Sequence, residues 1–188
     1  MRVPIAGGTP QRILAEPGIH NFQCARTPAR VCVLSEFTDQ HLAFFAFNPV
    51  TGEKKSMTQV DGPEWYLQNW TLSPDGSTLA LAKKHLVPGL PDIRLFSVAT
   101  GKDKILTLQS WTGIACLDWA AEGRSLWVVA SSPDGVPTLL NVDLQGKARP
   151  VLAESEKDLG WAIPSPDGRH LAIWEASGSS NAWLIEGF

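Results

Sequence analysis

The chain has 188 residues, 44% of them apolar, and a formal charge of −3. This composition excludes a disordered or collagen-like polypeptide. No Lys/Arg run exceeds two neighbours, which argues against nucleic acid as a direct partner. No stretch approaches the roughly 18 apolar residues of a membrane span, and the N-terminus lacks the apolar core of a secretory signal.

In chain order, Arg2 to Ile5 and Gln11 to Leu14 read as two short strands on either side of Gly7-Gly8. Next, Phe22 to Arg30 reads as a diverged turn followed by strands at Val31 to Leu34, Ala43 to Phe47 and Met57 to Val60. Trp70 and Leu72 lead into Ser73-Pro74-Asp75-Gly76, after which come Leu79 to Ala82, Ile93 to Val98 and Lys104 to Leu108. Leu117 and Trp119 lead into a degenerate copy, Ala120-Ala121-Glu122-Gly123, followed by Leu126 to Val129, Thr138 to Asp143 and Arg149 to Leu152. Trp161 to Ile163 precedes Ser165-Pro166-Asp167-Gly168, and Leu171 to Trp174 and Ala182 to Ile185 follow.

The three turns begin 47 and 45 residues apart, and a Leu follows each turn Gly by three positions. Proline presets φ, aspartate bonds to its own backbone and glycine accepts the left-handed conformation, so the tetrapeptide is a hairpin closure. A period in the forties with four short strands per unit predicts an all-β fold, a β-propeller of four-stranded antiparallel blades. Near-continuous apolar runs suit strands buried on both faces between stacked blades. Pro150 then falls on an outermost strand, where a missing N–H costs nothing. The units divide as 1–15 (the end of a partial blade), 16–60, 61–109, 110–153 and 154–188, the last without an outer strand. About four blades result, which fits either a ring of four closed by the N-terminal strand or an incomplete part of a larger propeller. Exposed blade faces would then need closure at a blade edge, a partner, or a homodimer forming a ring of eight.

Chemistry-bearing residues are sparse. Cys24, Cys32 and Cys116 lack metal-ligand or CxxC spacing and read as small core residues rather than a disulfide or metal framework. His20, His41, His85 and His170 have no ligand spacing, and Asp75, Asp134 and Asp167 are explained by turns. No nucleophile elbow occurs, so the reading is of a chain that is not an enzyme, with no catalytic residue, metal or cofactor. Of eight tryptophans, Trp70, Trp119, Trp127, Trp161, Trp174 and Trp183 lie in or beside strands and read as packing between blades. Trp65 and Trp111 precede inner strands instead. If strands alternate, the loops entering inner strands and those between second and third strands share one face, bearing His20, Asp39, Trp65, Tyr66, His85, Trp111 and Lys157. The longest of these loops, Lys83 to Pro91, exposes apolar residues and predicts a protein or peptide contact through Trp65, Tyr66, His85, Leu86 and Trp111.

The Ser-Pro-Asp-Gly turns, each followed by x-x-Leu-Ala, and Asp143-Leu144-Gln145-Gly146 resemble the TolB-type, WD-repeat-like propeller family over nearly the whole chain. Val3 to Gly8, Cys24-Ala25-Arg26, Leu117 to Ala120, Trp161 to Ala172 and Asn181-Ala182-Trp183 further resemble the C-terminal sensor propellers of bacterial serine/threonine kinases and winged-helix regulators. That resemblance implies a non-catalytic sensor or scaffold module for protein or ligand recognition. The kinase and DNA-binding parts are absent from this sequence and are not carried over. An accessory propeller of a peptidase or other hydrolase, with its catalytic domain elsewhere, is the alternative. Compartment stays open between bacterial cytoplasm and periplasm, with no membrane insertion by this chain.

Overall fold

In the computed structural model, residues 1–28, 31–38, 41–61, 69–82 and 91–178 are described. They form strands β1 (Ile19–Cys24), β2 (Cys32–Thr38), β3 (His41–Phe47), β4 (Lys54–Asp61), β5 (Asn69–Leu72), β6 (Thr78–Ala82), β7 (Asp92–Ser97), β8 (Asp103–Thr107), β9 (Gly113–Trp119), β10 (Ser125–Ser131), β11 (Pro137–Asp143), β12 (Ala148–Ala153), β13 (Asp158–Pro164) and β14 (Leu171–Ala176). The described residues contain no helix. Sheet one is β1-β2-β3-β4, sheet two β5-β6-β7-β8, sheet three β9-β10-β11-β12 and sheet four β13-β14, each strictly sequential and antiparallel. This is the propeller blade meander: the innermost strand β5 is buried throughout and β9 largely so, while the outermost, β8 and β12, are largely exposed.

The sheets stack face to face, and the apolar runs are consecutive because successive side chains enter successive joints. Val33, Leu42 and Phe44 of sheet one meet Trp70, Leu72, Leu79, Leu81 and Phe96 of sheet two. Ala80, Ala82, Ile93 and Leu95 on the far side of sheet two meet Leu117, Trp119, Leu126, Val128, Leu140 and Val142 of sheet three. Cys116, Val129 and Leu139 then meet Leu159 and Ala162 of sheet four. Trp70 stands edge-on to Phe44 at 5.4 Å and donates its indole N–H to the Ser35 hydroxyl at 3.1 Å, so even the ring's polar atom is spent on a joint.

The repeated turns form a chain of contacts of their own. Ser73 donates to the Asp75 carboxylate (2.6 Å) and accepts from the Thr78 backbone (2.9 Å), and Gly76 closes the turn at φ 75°. A Cβ at Gly76 would lie 3.0 Å from the Ala25 and Val31 Cβ atoms, one at Gly123 would touch Pro74, and one at Gly168 would touch Ala121. Each turn therefore rests against the turn of the preceding sheet. A further exact copy, Ser132-Pro133-Asp134-Gly135, closes the β10–β11 connection instead, so the tetrapeptide encodes a hairpin and not a position in the blade.

Several expectations change. Phe22 to Cys24 belong to β1, so the first turn is shorter than the Phe22 to Arg30 segment suggested. Cys24 and Cys32 are then directly opposite across β1 and β2 and form a disulfide, with their Cα atoms 4.0 Å apart. The neighbouring Ala25 N–H bonds to the Val31 carbonyl, which makes the cysteine pair a non-hydrogen-bonded one, the closer of the two antiparallel pair types. Only Cys116 is a free, buried cysteine, as all three had been expected to be. At the N-terminus the two expected strands are reduced to a single antiparallel bridge, Arg2 to Gln11, with both backbone bonds made. Trp70 and Trp119 are buried in joints as expected, but Trp161 and Trp174 are 57% and 54% exposed. Trp183 lies outside the described residues.

Candidate functional site

The alternation of strands sorts the connections onto two ends of the stack. At one end lie the repeated turns and the turns closed by Gly52, Gly101 and Gly146. At the other, segments entering inner strands bond to connections between second and third strands. Phe37 N–H donates to the Gly18 carbonyl, Leu108 N–H to Pro91, Thr112 N–H to Ser131, and Glu154 N–H to Pro137. The Thr112 hydroxyl adds a bond to the Ser132 carbonyl. A shared loop face is thus observed at sheets one, two and three.

Of the residues expected there, Trp65, Tyr66, His85 and Leu86, together with Asp39, lie outside the described residues. Trp111 is half-buried and packs against the joint between sheets two and three. Ser110 before it adopts φ 69°, the one non-glycine residue among those described in the left-handed region. Such a backbone is costly for a residue with a Cβ and here presents Trp111 to the joint. His20 stands edge-on to Phe37 at 5.1 Å, and Lys157 pairs with Glu175 at 2.8 Å. His41 and Asp61, 3.9 Å apart and exposed, sit on the same face but had no signal in sequence spacing.

A second cluster escaped sequence reading because it joins different inner strands. Gln23 on β1 accepts from the Leu72 N–H and donates to the Trp70 carbonyl on β5. The Thr71 hydroxyl on β5 donates to the Asp118 carboxylate on β9 at 2.8 Å, and the Trp119 N–H donates to the same oxygen. Burial pushes the Asp118 carboxyl above the ordinary carboxylate range, against those two hydrogen bonds and the nearby Arg26 guanidinium. Arg26 donates its backbone N–H to Pro74 and its guanidinium to the carbonyls of Ala121 and Pro166, so one side chain reaches the turns of sheets three and four. These polar groups are committed to each other: no buried side-chain polar atom among the described residues lacks a partner.

Burial raises the Cys116 thiol to about 11, which keeps it protonated and poorly nucleophilic. No group of three metal-ligating side chains occurs among the described residues, and none of their elements is a helix long and apolar enough to cross a membrane.

Neither a protein-family model nor a curated protein sequence matches the chain. Solved structures do. TolB from Acinetobacter baumannii superposes with a TM-score of 0.70 at 18% identity over 95% of this chain and 43% of that one. A protein assigned as TolB from Agrobacterium tumefaciens gives 0.61 at 18% identity over 81% of this chain and 53% of its own. A prolyl endopeptidase gives 0.62 at 14% identity over 86% of this chain and 26% of that enzyme. The chain has the TolB-type β-propeller fold and spans about half or less of the structures it matches.

Proposed function

We propose that this propeller module is non-catalytic and recognises a protein or peptide at its loop face, as the sensor or scaffold part of a larger bacterial protein. The observation that carries this reading is the division of labour between the two ends. The turn end is fixed by contacts repeated from sheet to sheet, whereas at the other end segments entering inner strands meet the connections between second and third strands. Binding functions settle on such loops, held by a rigid scaffold. Trp65, Tyr66, His85, Leu86 and Trp111 are the proposed contact residues. The Cys24–Cys32 disulfide favours an oxidising compartment, and so the periplasm over the cytoplasm.

Panning the immobilised chain against a displayed library of random peptides tests the proposal. Enriched clones should lose binding to Trp65→Ala and Leu86→Ala variants whose melting temperatures match the parent. Clones that bind these variants undiminished would refute the assignment. The likeness to a prolyl endopeptidase keeps one second reading, an accessory propeller for a hydrolase whose catalytic domain lies outside this chain. Under that reading the loop face would enrich no peptide.

A further inference from the structure

The three Ser-Pro-Asp-Gly copies each join an aspartate to a glycine, the dipeptide in which an unhindered backbone N–H lies next to a side-chain carboxyl it can attack. Their backbones are alike. Gly76, Gly135 and Gly168 have φ of 75°, 81° and 70°, and each donates its N–H to the carbonyl of its own turn serine, Ser73, Ser132 or Ser165. The carboxylates are not alike. Asp75 accepts from the Ser73 hydroxyl at 2.6 Å and from both the N–H and the hydroxyl of Ser77. Asp167 accepts from the Ser165 hydroxyl at 2.6 Å and from the Arg169 N–H at 3.1 Å. Asp134 accepts no hydrogen bond from a described residue, and the reason is the length of its hairpin. In the other two copies the serine hydroxyl takes the N–H five positions on, at Thr78 or His170, which leaves the fourth N–H for the aspartate. The β10–β11 hairpin is one residue shorter, so the fourth N–H, that of Val136, goes to the Ser132 hydroxyl at 3.1 Å instead.

Packing separates the copies in the same direction. Gly76 and Gly168 bear on Ala25, Val31 and Ala121 of the neighbouring turns, whereas a Cβ built at Gly135 meets nothing within 4 Å. Asp134 and Gly135 are both exposed. The hydrogen bond from Ser73 holds the Asp75 carboxyl below the ordinary carboxylate range, and that from Ser165 does the same for Asp167. A carboxyl kept ionised and bonded is a poor electrophile, and a turn wedged against its neighbour has no room to rearrange.

We propose that Asp134–Gly135, on the loop face, is the site at which this protein forms isoaspartate, while the turns holding Asp75–Gly76 and Asp167–Gly168 protect those pairs. The Gly135 amide nitrogen attacks Asp134 Cγ. The N–Cγ bond forms, the Cγ–OH bond breaks, and the amide proton leaves with the hydroxyl as water, giving a five-membered succinimide. Water then adds to the Asp134 α-carbonyl carbon and breaks its bond to the Gly135 nitrogen. The backbone now runs through the aspartate side chain, one methylene longer between β10 and β11, and the α-carboxylate is free. No oxidant or reductant takes part, and the inference does not depend on what the loop face binds. Asp61-Gly62, the remaining pair of this kind, extends beyond the described residues.

The full chain, held for weeks in warm neutral buffer and then digested, is assayed peptide by peptide for carboxyl methylation by an isoaspartyl methyltransferase. Label in the peptide bearing Asp134 should appear at least about tenfold faster than in those bearing Asp75 or Asp167, the rate equivalent of one hydrogen bond to a charged group. In concentrated urea, where the turns are gone, the three rates should converge. Asp134→Glu, which would have to close a six-membered ring and does so far more slowly, should lose the label from that peptide. Equal labelling of the three pairs in the folded chain overturns the inference. The same preference in urea, or label retained in Asp134→Glu, overturns it equally.

Discussion

Asp118 shows what a single residue contributes on the inner strands. Its raised carboxyl pKa means that the native state keeps a proton which the unfolded chain has already released, so stability falls as pH rises from the ordinary carboxylate value through the raised one. At neutral pH the ionised group is therefore a net cost. Asp118→Asn retains an oxygen for the Thr71 hydroxyl and the Trp119 N–H, and should raise the melting temperature at pH 7 on the order of 2 °C, the scale of about 1 kcal/mol in a chain of this size. At pH 3 the two proteins should melt together. An Asn variant less stable at pH 7 than at pH 3, relative to the parent, would reverse the assignment. Asp118 stood in plain view in the sequence, but its partners are 47 residues away on β5 and, at Arg26, in the turn after β1; only the stacking of inner strands brings them together.

At the scale of the element, the glycine turns separate local strain from contact between sheets. Gly76 and Gly101 have nearly the same φ, 75° and 69°, but a Cβ at Gly101 meets nothing within 4 Å while one at Gly76 meets Ala25 and Val31. Gly101→Ala should cost about 1 kcal/mol for the left-handed backbone alone. Gly76→Ala should cost about 1–3 kcal/mol more for overpacking. Equal urea midpoints for the two variants would show that the turns do not bear on one another. The hairpins themselves were legible from sequence, since Leu79 to Ala82 and Leu126 to Val129 could only be strands buried on both faces. The disulfide was not. Reading Phe22 to Arg30 as one long turn hid the register of β1, and without that register Cys24 and Cys32 have no reason to face each other. The loop face was legible as topology, through strand alternation, but its residues were chosen by exposure and aromatic character. Those criteria placed Trp111 there, although it is half-buried against a joint.

For the whole molecule, Arg26 is the side chain that couples distant sheets. Its guanidinium bonds, at 3.3 Å each to Ala121 and Pro166, tie the first turn to the third and fourth, so it acts on the curvature of the stack rather than on any one blade. Arg26→Gln should speed hydrogen exchange in β13 and β14 while leaving β5 to β8 protected, with a stability loss of about 1 kcal/mol. Uniform loss of protection across all sheets would mean that Arg26 serves its own turn only.

The bond between Cys24 and Cys32 has a consequence under load. Tension applied through the chain passes across the sulfur link and bypasses residues 25–31, because the two cysteines are eight positions apart in sequence. Stretched from its ends, the oxidised protein should extend roughly 25 Å less than the reduced one, the length of the seven sheltered residues. The first hairpin is thus a knot in the string that only a reductant can untie.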